Sequence, residues 1–297
     1  MTFDDNNPPQ SESAHSPESG SELQRSRFEA SLTPGYLGPI DPLLQEDLRV
    51  PWGWLDLLFL VAVAVSGTFV LSLLLIKGFA IFGLSFRQVQ NDAGDKNLFL
   101  ILNQALLSVV LLAYLAVQMR HSFRAPFWRT IGWRPLQTGH TPRAAAYLGL
   151  IFSGFMLAIL VTMSSAVFKA PKGTPIEQFF QDRRSALLLM SMAVLLAPVL
   201  EETIFRGYIY PVIARSFGVN TGIVVTGTLF GLLHASQLWG GWAQIALLVL
   251  VGNVFTYARA KTHTVVASYL LHVSYNSCLF LGFLVASHGL RHFPAAP

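Results

Sequence analysis

The 297-residue chain is 53% hydrophobic and only 12% charged, about half the roughly 25% charged share of an ordinary soluble domain. Its net charge of +4 comes without a basic stripe interleaved with aromatics, which excludes a nucleic-acid groove. The single cysteine, Cys278, lies in an apolar segment, which excludes an intrachain disulfide and a cysteine-cluster zinc site.

Residues 1–50 hold most of the acidic residues and many Ser and Pro, as in "NNPPQSESAHSPESGSE". Such a segment buries too little apolar surface to order itself, and it reads as a flexible tail. It has no basic start followed by a short apolar run, so no cleavable signal peptide is expected. The first hydrophobic segment is then a retained anchor.

From there apolar stretches recur from about Leu57 to Val285, the pattern of an all-α polytopic membrane protein. Seven spans are predicted, at 55–77, 97–119, 144–168, 185–212, 219–235, 243–258 and 264–286. Most reach the roughly 20 residues a bilayer core requires. The spans at 219–235 and 243–258 are short, and 185–212 is long enough to tilt. An eighth span would arise if the first segment, with its continuation "IKGFAIFGL", were a hairpin. Trp52, Trp54, Trp128, Trp133, Trp239 and Trp242 all fall at span edges, as in an aromatic belt. The loop after the second span carries Arg120, Arg124, Arg129, Arg134 and Arg143 with no acidic residue. The positive-inside rule puts it, and the N-terminal tail, in the cytoplasm. Lys169, Lys172, Arg183 and Arg184 would then lie outside. No solenoid or inverted repeat is visible.

The fourth span reads "LLAPVLEETIFRGYIYPVI". Glu201, Glu202 and Arg206 together cost about 7–10 kcal/mol near a helix centre. The six Leu, three Val, two Ile and one Phe between Ser185 and Val212 return only about 5 kcal/mol. The charges must therefore be paired, protonated or wetted inside a bundle, unless "EETIFR" is a solvated cluster at the membrane boundary. Glu202 and Arg206 are four apart and suit an intrahelical ion pair; Glu201 points about 100° away. Pro198, just before, removes a backbone donor, which is tolerated only beside protein or water.

Two later spans carry histidine. His234 follows Phe230 by one turn in "FGLLH", with Gly227 and Gly231 as a small-residue pair for close helix approach. His272 and Asn276 are four apart in "HVSYN" and share one side. His263, His288 and His292 flank the last span and read as surface residues. Alone, each membrane histidine is an ordinary packing residue. Together with Glu201 they are ionisable and amide groups on three spans, which avoid lipid and converge in one polar cavity. A Glu, two His and an Asn suffice for water-activated hydrolysis: acid–base groups for the water, and donors for an oxyanion.

The three sets "EETIFR", "FGLLH" and "HVSYN" resemble the EExxxR, FxxxH and HxxxN motifs of the CAAX-protease and bacteriocin-processing family, also called the Abi family. The resemblance covers roughly residues 175–280 and implies an intramembrane endopeptidase. On that basis residues 51–174 are accessory helices and a basic loop, and 175–297 the catalytic core. Glu201 would be the general base, His234 its partner in orienting water, and His272 with Asn276 the oxyanion pair. Glu202 and Arg206 would support the site, and Phe230 would pack beside His234. If a metal such as zinc takes part, Glu201, His234 and His272 would hold it; no HExxH occurs, and glutamate-activated water without metal is favoured. The substrate would be a peptide or protein, prenylated or membrane-associated, met among membrane lipids. Bacterial-looking members are associated with bacteriocin maturation or self-immunity. The rival readings are a non-catalytic immunity or scaffold protein, and a proton-coupled transporter using the same buried Glu and His.

Overall fold

The structure is a computed structural model describing residues 45–168 and 174–293, and among these every regular element is a helix. The expectations for tail residues 1–44 and for Lys169 and Lys172 lie outside the described residues. Apart from short helical turns in the connections, seven longer helical segments follow one another in the expected order. They are α1 (Trp54–Ile81), α2 (Ala93–His121), α3 (Arg143–Val167), α4 (Arg183–Phe217), α5 (Val219–Leu233), α6 (Trp242–Thr262) and α7 (Val265–Ala286). All but α5 are long and apolar enough to cross a membrane. α5 has 15 residues, about 22 Å at 1.5 Å per residue, and stops short of a roughly 30 Å hydrocarbon core. α1 runs unbroken to Ile81, through the start of "IKGFAIFGL", so the first segment is one span and not a hairpin. Leu58, Phe59, Val65 and Phe69 stand exposed along it, as on a helix whose outer solvent is lipid.

Short polar caps fix where helices begin. Asp92 accepts from the Asp95 N–H ahead of α2, and Asp182 from the Ser185 N–H ahead of α4. Each satisfies a backbone donor that the first turn leaves open. Glycines then set how closely helices approach. A Cβ on Gly231 would lie 2.7 Å from the Val249 nitrogen, and one on Gly252 would lie 2.6 Å from the Gly227 carbonyl oxygen. α5 and α6 therefore pack backbone to backbone, as the Gly227/Gly231 spacing predicts. Gly154 does the same for α3 against α7, where a Cβ would meet Ser274 Cβ at 2.7 Å.

α4 is not a uniform helix. Met192–Leu196 and Thr203–Ile209 are wide turns in which N–H groups reach back five residues: Ala197 to Met192 and Tyr210 to Phe205. A proline follows each, Pro198 and Pro211. Proline has no N–H, and its ring collides with the carbonyl four residues back, so a widened turn makes room. Glu201, Glu202 and Arg206 sit at and between these turns, a common location for functional groups.

Residues 46–52, which composition assigns largely to the tail and the belt, pack against the bundle instead. Asp47 pairs with Arg259 at 2.6 Å, and Arg215 donates to the carbonyls of Val50 and Trp52. Trp52 is no belt residue: it is 1% exposed, stacks on Tyr208 at 4.8 Å, and donates to the Tyr208 carbonyl. The same end gathers the basic loop, where the Thr264 hydroxyl donates to the Arg134 carbonyl and Arg134 pairs with Glu46.

Candidate active site

α4 supplies two carboxylates with different surroundings. The Glu202 side chain is fully buried, and its Oε1 accepts from Arg206 Nη1 at 2.9 Å and from His272 Nδ1 at 2.9 Å. Arg206, equally buried, spends its remaining donors on α6: Nε on the Thr256 hydroxyl at 3.2 Å and Nη2 on the Gly252 carbonyl at 2.8 Å. Its guanidinium carbon also lies 4.5 Å from the centre of the Phe230 ring, an attraction strengthened where water is excluded. The predicted ion pair therefore exists, and full burial removes the boundary-cluster alternative.

Glu201 takes no part in that pairing. Its side chain is 17% exposed and faces two imidazoles, with His234 Nε2 at 3.9 Å from Oε1 and His272 Nε2 at 3.8 Å from Oε2. Both gaps exceed a direct hydrogen bond and leave room for a bridging water. The other nitrogen of each ring fixes its role. His234 Nδ1 lies 2.9 Å from the Phe230 carbonyl oxygen; a carbonyl only accepts, so Nδ1 carries the proton and Nε2 presents a lone pair. His272 Nδ1 donates to Glu202 in the same way. With both rings neutral, their Nε2 lone pairs converge on the Glu201 carboxyl group, and a donor such as water fits between them.

The phenylalanines hold the rings at these angles. Phe230 lies 4.9 Å from His234 and 5.6 Å, edge-on, from His272. Phe255 of α6 lies 5.0 Å from His272. His234 itself sits just past the last residue of α5, where the span predicted to reach residue 235 ends at Leu233. Asn276, one turn beyond His272, donates through Nδ2 to the Ala193 carbonyl at 2.7 Å. Its second N–H remains for another acceptor.

Glu201, Glu202, Arg206, Phe230, His234 and His272 therefore form one cluster, and Asn276 joins α7 to α4 one turn further along. The α6 contribution leaves no mark in the sequence, because Gly252, Phe255 and Thr256 are ordinary residues in an apolar span. His288 and His292 are exposed as expected; His263 is half-exposed but contacts Asp47 at 3.1 Å.

Glu201, His234 and His272 are zinc-compatible ligand types. Their spacing is less suitable: tetrahedral zinc with ligands at 2.0–2.2 Å brings ligand atoms to about 3.3–3.6 Å of one another. Among the described residues no group of three or more His, Cys, Asp or Glu side chains is arranged to hold a metal ion.

No curated protein and no solved structure matches the chain. Residues 183–278, which hold all three motifs from Glu201 to Asn276, match the family model described as Type II CAAX prenyl endopeptidase Rce1-like, in agreement with the family that the motifs resemble.

Proposed function

We propose that the chain is an intramembrane endopeptidase that hydrolyses a peptide bond with water activated by Glu201. The observation that carries the reading is the Glu201 carboxylate facing two imidazole Nε2 atoms at 3.8 and 3.9 Å. A water in that gap donates one hydrogen to Glu201 and the other to His234 Nε2, and its free lone pair attacks the scissile carbonyl. Glu201 takes the proton as the new C–O bond forms. The oxyanion of the tetrahedral intermediate accepts from the second Nδ2–H of Asn276. His272, its ring held by Glu202 at Nδ1 and turned toward Glu201, is assigned with Asn276 to that oxyanion side of the site. Glu201 then passes its proton to the leaving amine as the C–N bond breaks.

The substrate class is a peptide or protein whose cleavage site reaches the bilayer, with a prenylated CAAX-type C-terminus as the form implied by the family description. The basic loop 120–143 is assigned to the cytoplasmic side, with residues 45–53 at the same end. The test uses full-length protein in proteoliposomes with a farnesylated CAAX peptide and its unmodified counterpart. Wild type cleaves and Glu201→Gln does not; equal cleavage by both would overturn the mechanism.

A further inference from the structure

Asn276 is held by a carbonyl that an unbroken helix would not offer. In the first wide turn of α4 the Ala197 N–H bonds to Met192 O. The next bond in that register runs from residue 198 to Ala193 O, and residue 198 is Pro198, which has no N–H. Ala193 O is thereby left without its backbone donor, and Asn276 Nδ2 fills the place at 2.7 Å. Ala193 is only partly buried, but a main-chain carbonyl within a helix bundle still gains from a partner, and this contact fixes the plane of the amide. Once one N–H is committed, the direction of the other is set by the planar group itself.

We infer that Pro198 is a positioning residue that acts through Asn276: by stripping Ala193 O of its backbone donor, it orients the Asn276 amide so that the second N–H meets a substrate oxygen. The inference rests on the hydrolase reading for its last clause only. α4 and α7 are then pinned at two places, His272 on Glu202 and Asn276 on Ala193, with Glu201 and Pro198 between them on α4. Replacing Pro198 by Ala returns an N–H whichever way the helix responds. If the turn stays wide, residue 198 donates to Ala193 O; if it tightens to an ordinary helix, residue 197 does. In both cases Asn276 loses sole claim to that oxygen. Alanine is also the stronger helix former, so the variant folds.

The test is nuclear magnetic resonance of the full-length chain in detergent micelles, labelled with [15N]asparagine, the Asn276 side-chain peaks being assigned by their loss in Asn276→Ala. In wild type one Asn276 amide proton is expected downfield and slow to exchange. In Pro198→Ala it moves upfield and exchanges with solvent. Pro198→Ser restores the same N–H with a different side chain and reproduces the shift. An unmoved Asn276 resonance in either variant overturns the inference, and this holds even if no peptide is ever cleaved. On a farnesylated CAAX peptide, Pro198→Ala lowers kcat about tenfold with KM unchanged, a fraction of the 10²–10³ that a full oxyanion donor supplies. In an Asn276→Ala background the same change adds no further loss; additive losses would show that Pro198 acts elsewhere.

Discussion

His272 Nδ1 lies 2.9 Å from Glu202 Oε1, the same oxygen that accepts from Arg206. One buried carboxylate thus joins the charge that makes its own burial tolerable to a ring facing Glu201. Support and chemistry meet on a single atom, and changes at Arg206 should be felt at His272.

Arg206→Met leaves Glu202 buried without its cation. Breaking one side of a buried pair costs about 3–5 kcal/mol, so the variant should unfold at markedly lower denaturant concentration in detergent. Arg206→Met combined with Glu202→Gln should recover part of that loss, because the unpaired charge is gone. A stability unchanged by Arg206→Met would contradict the burial of the pair.

Much of this was legible from residue spacing. The four-residue separation of Glu202 and Arg206 specified the ion pair, and the bilayer cost of Glu201 marked it as the residue needing a separate reason. Helix order followed from hydropathy because lipid imposes one simple rule on every span. What stayed hidden depends on tertiary contact. Asp47 looks like one more acid of a polar tail until Arg259, 212 residues away, buries it. Trp52 at a span edge fits an aromatic belt, and only Tyr208 shows that it turns inward. Thr256 and the Gly252 carbonyl hold Arg206 through groups that every membrane helix contains.

The approach of α5 to α6 can be tested sterically. A side chain at Gly227 would meet the Asn253 backbone nitrogen at 2.5 Å, and backbone cannot yield as a side-chain tip can. Gly227→Leu should destabilise the protein by about 1–3 kcal/mol or more. It should also displace α5, and with it His234, so cleavage falls further than stability alone explains. Thermal unfolding measured beside peptide cleavage separates the two effects; normal values for both would contradict the close packing.

The segment 46–52 packed against the bundle makes its own prediction. Asp47→Ala leaves Arg259, 1% exposed, without the carboxylate it contacts at 2.6 Å. The expected cost is about 3–5 kcal/mol, read as a lowered unfolding midpoint. Limited proteolysis should then cut between residues 46 and 52 in the variant and spare them in wild type. Equal cutting in both would show that the segment is not held by this pair.

The spacing around Glu201 bears on metal. A saturating chelator should leave cleavage by the purified protein within about twofold of its starting rate, given donor pairs wider than the roughly 3.3–3.6 Å that tetrahedral zinc sets. Loss of activity restored by one divalent ion would show that Glu201, His234 and His272 close around a cation.

The most direct test of the account compares peptide cleavage by wild type and Glu201→Gln in proteoliposomes, with unfolding midpoints measured on the same preparations. Glutamine keeps the size of the side chain and removes its basicity, so the general-base contribution of roughly 10²–10⁴ in rate should vanish while the midpoint stays unchanged. Cleavage by Glu201→Gln at the wild-type rate would contradict a water activated by Glu201.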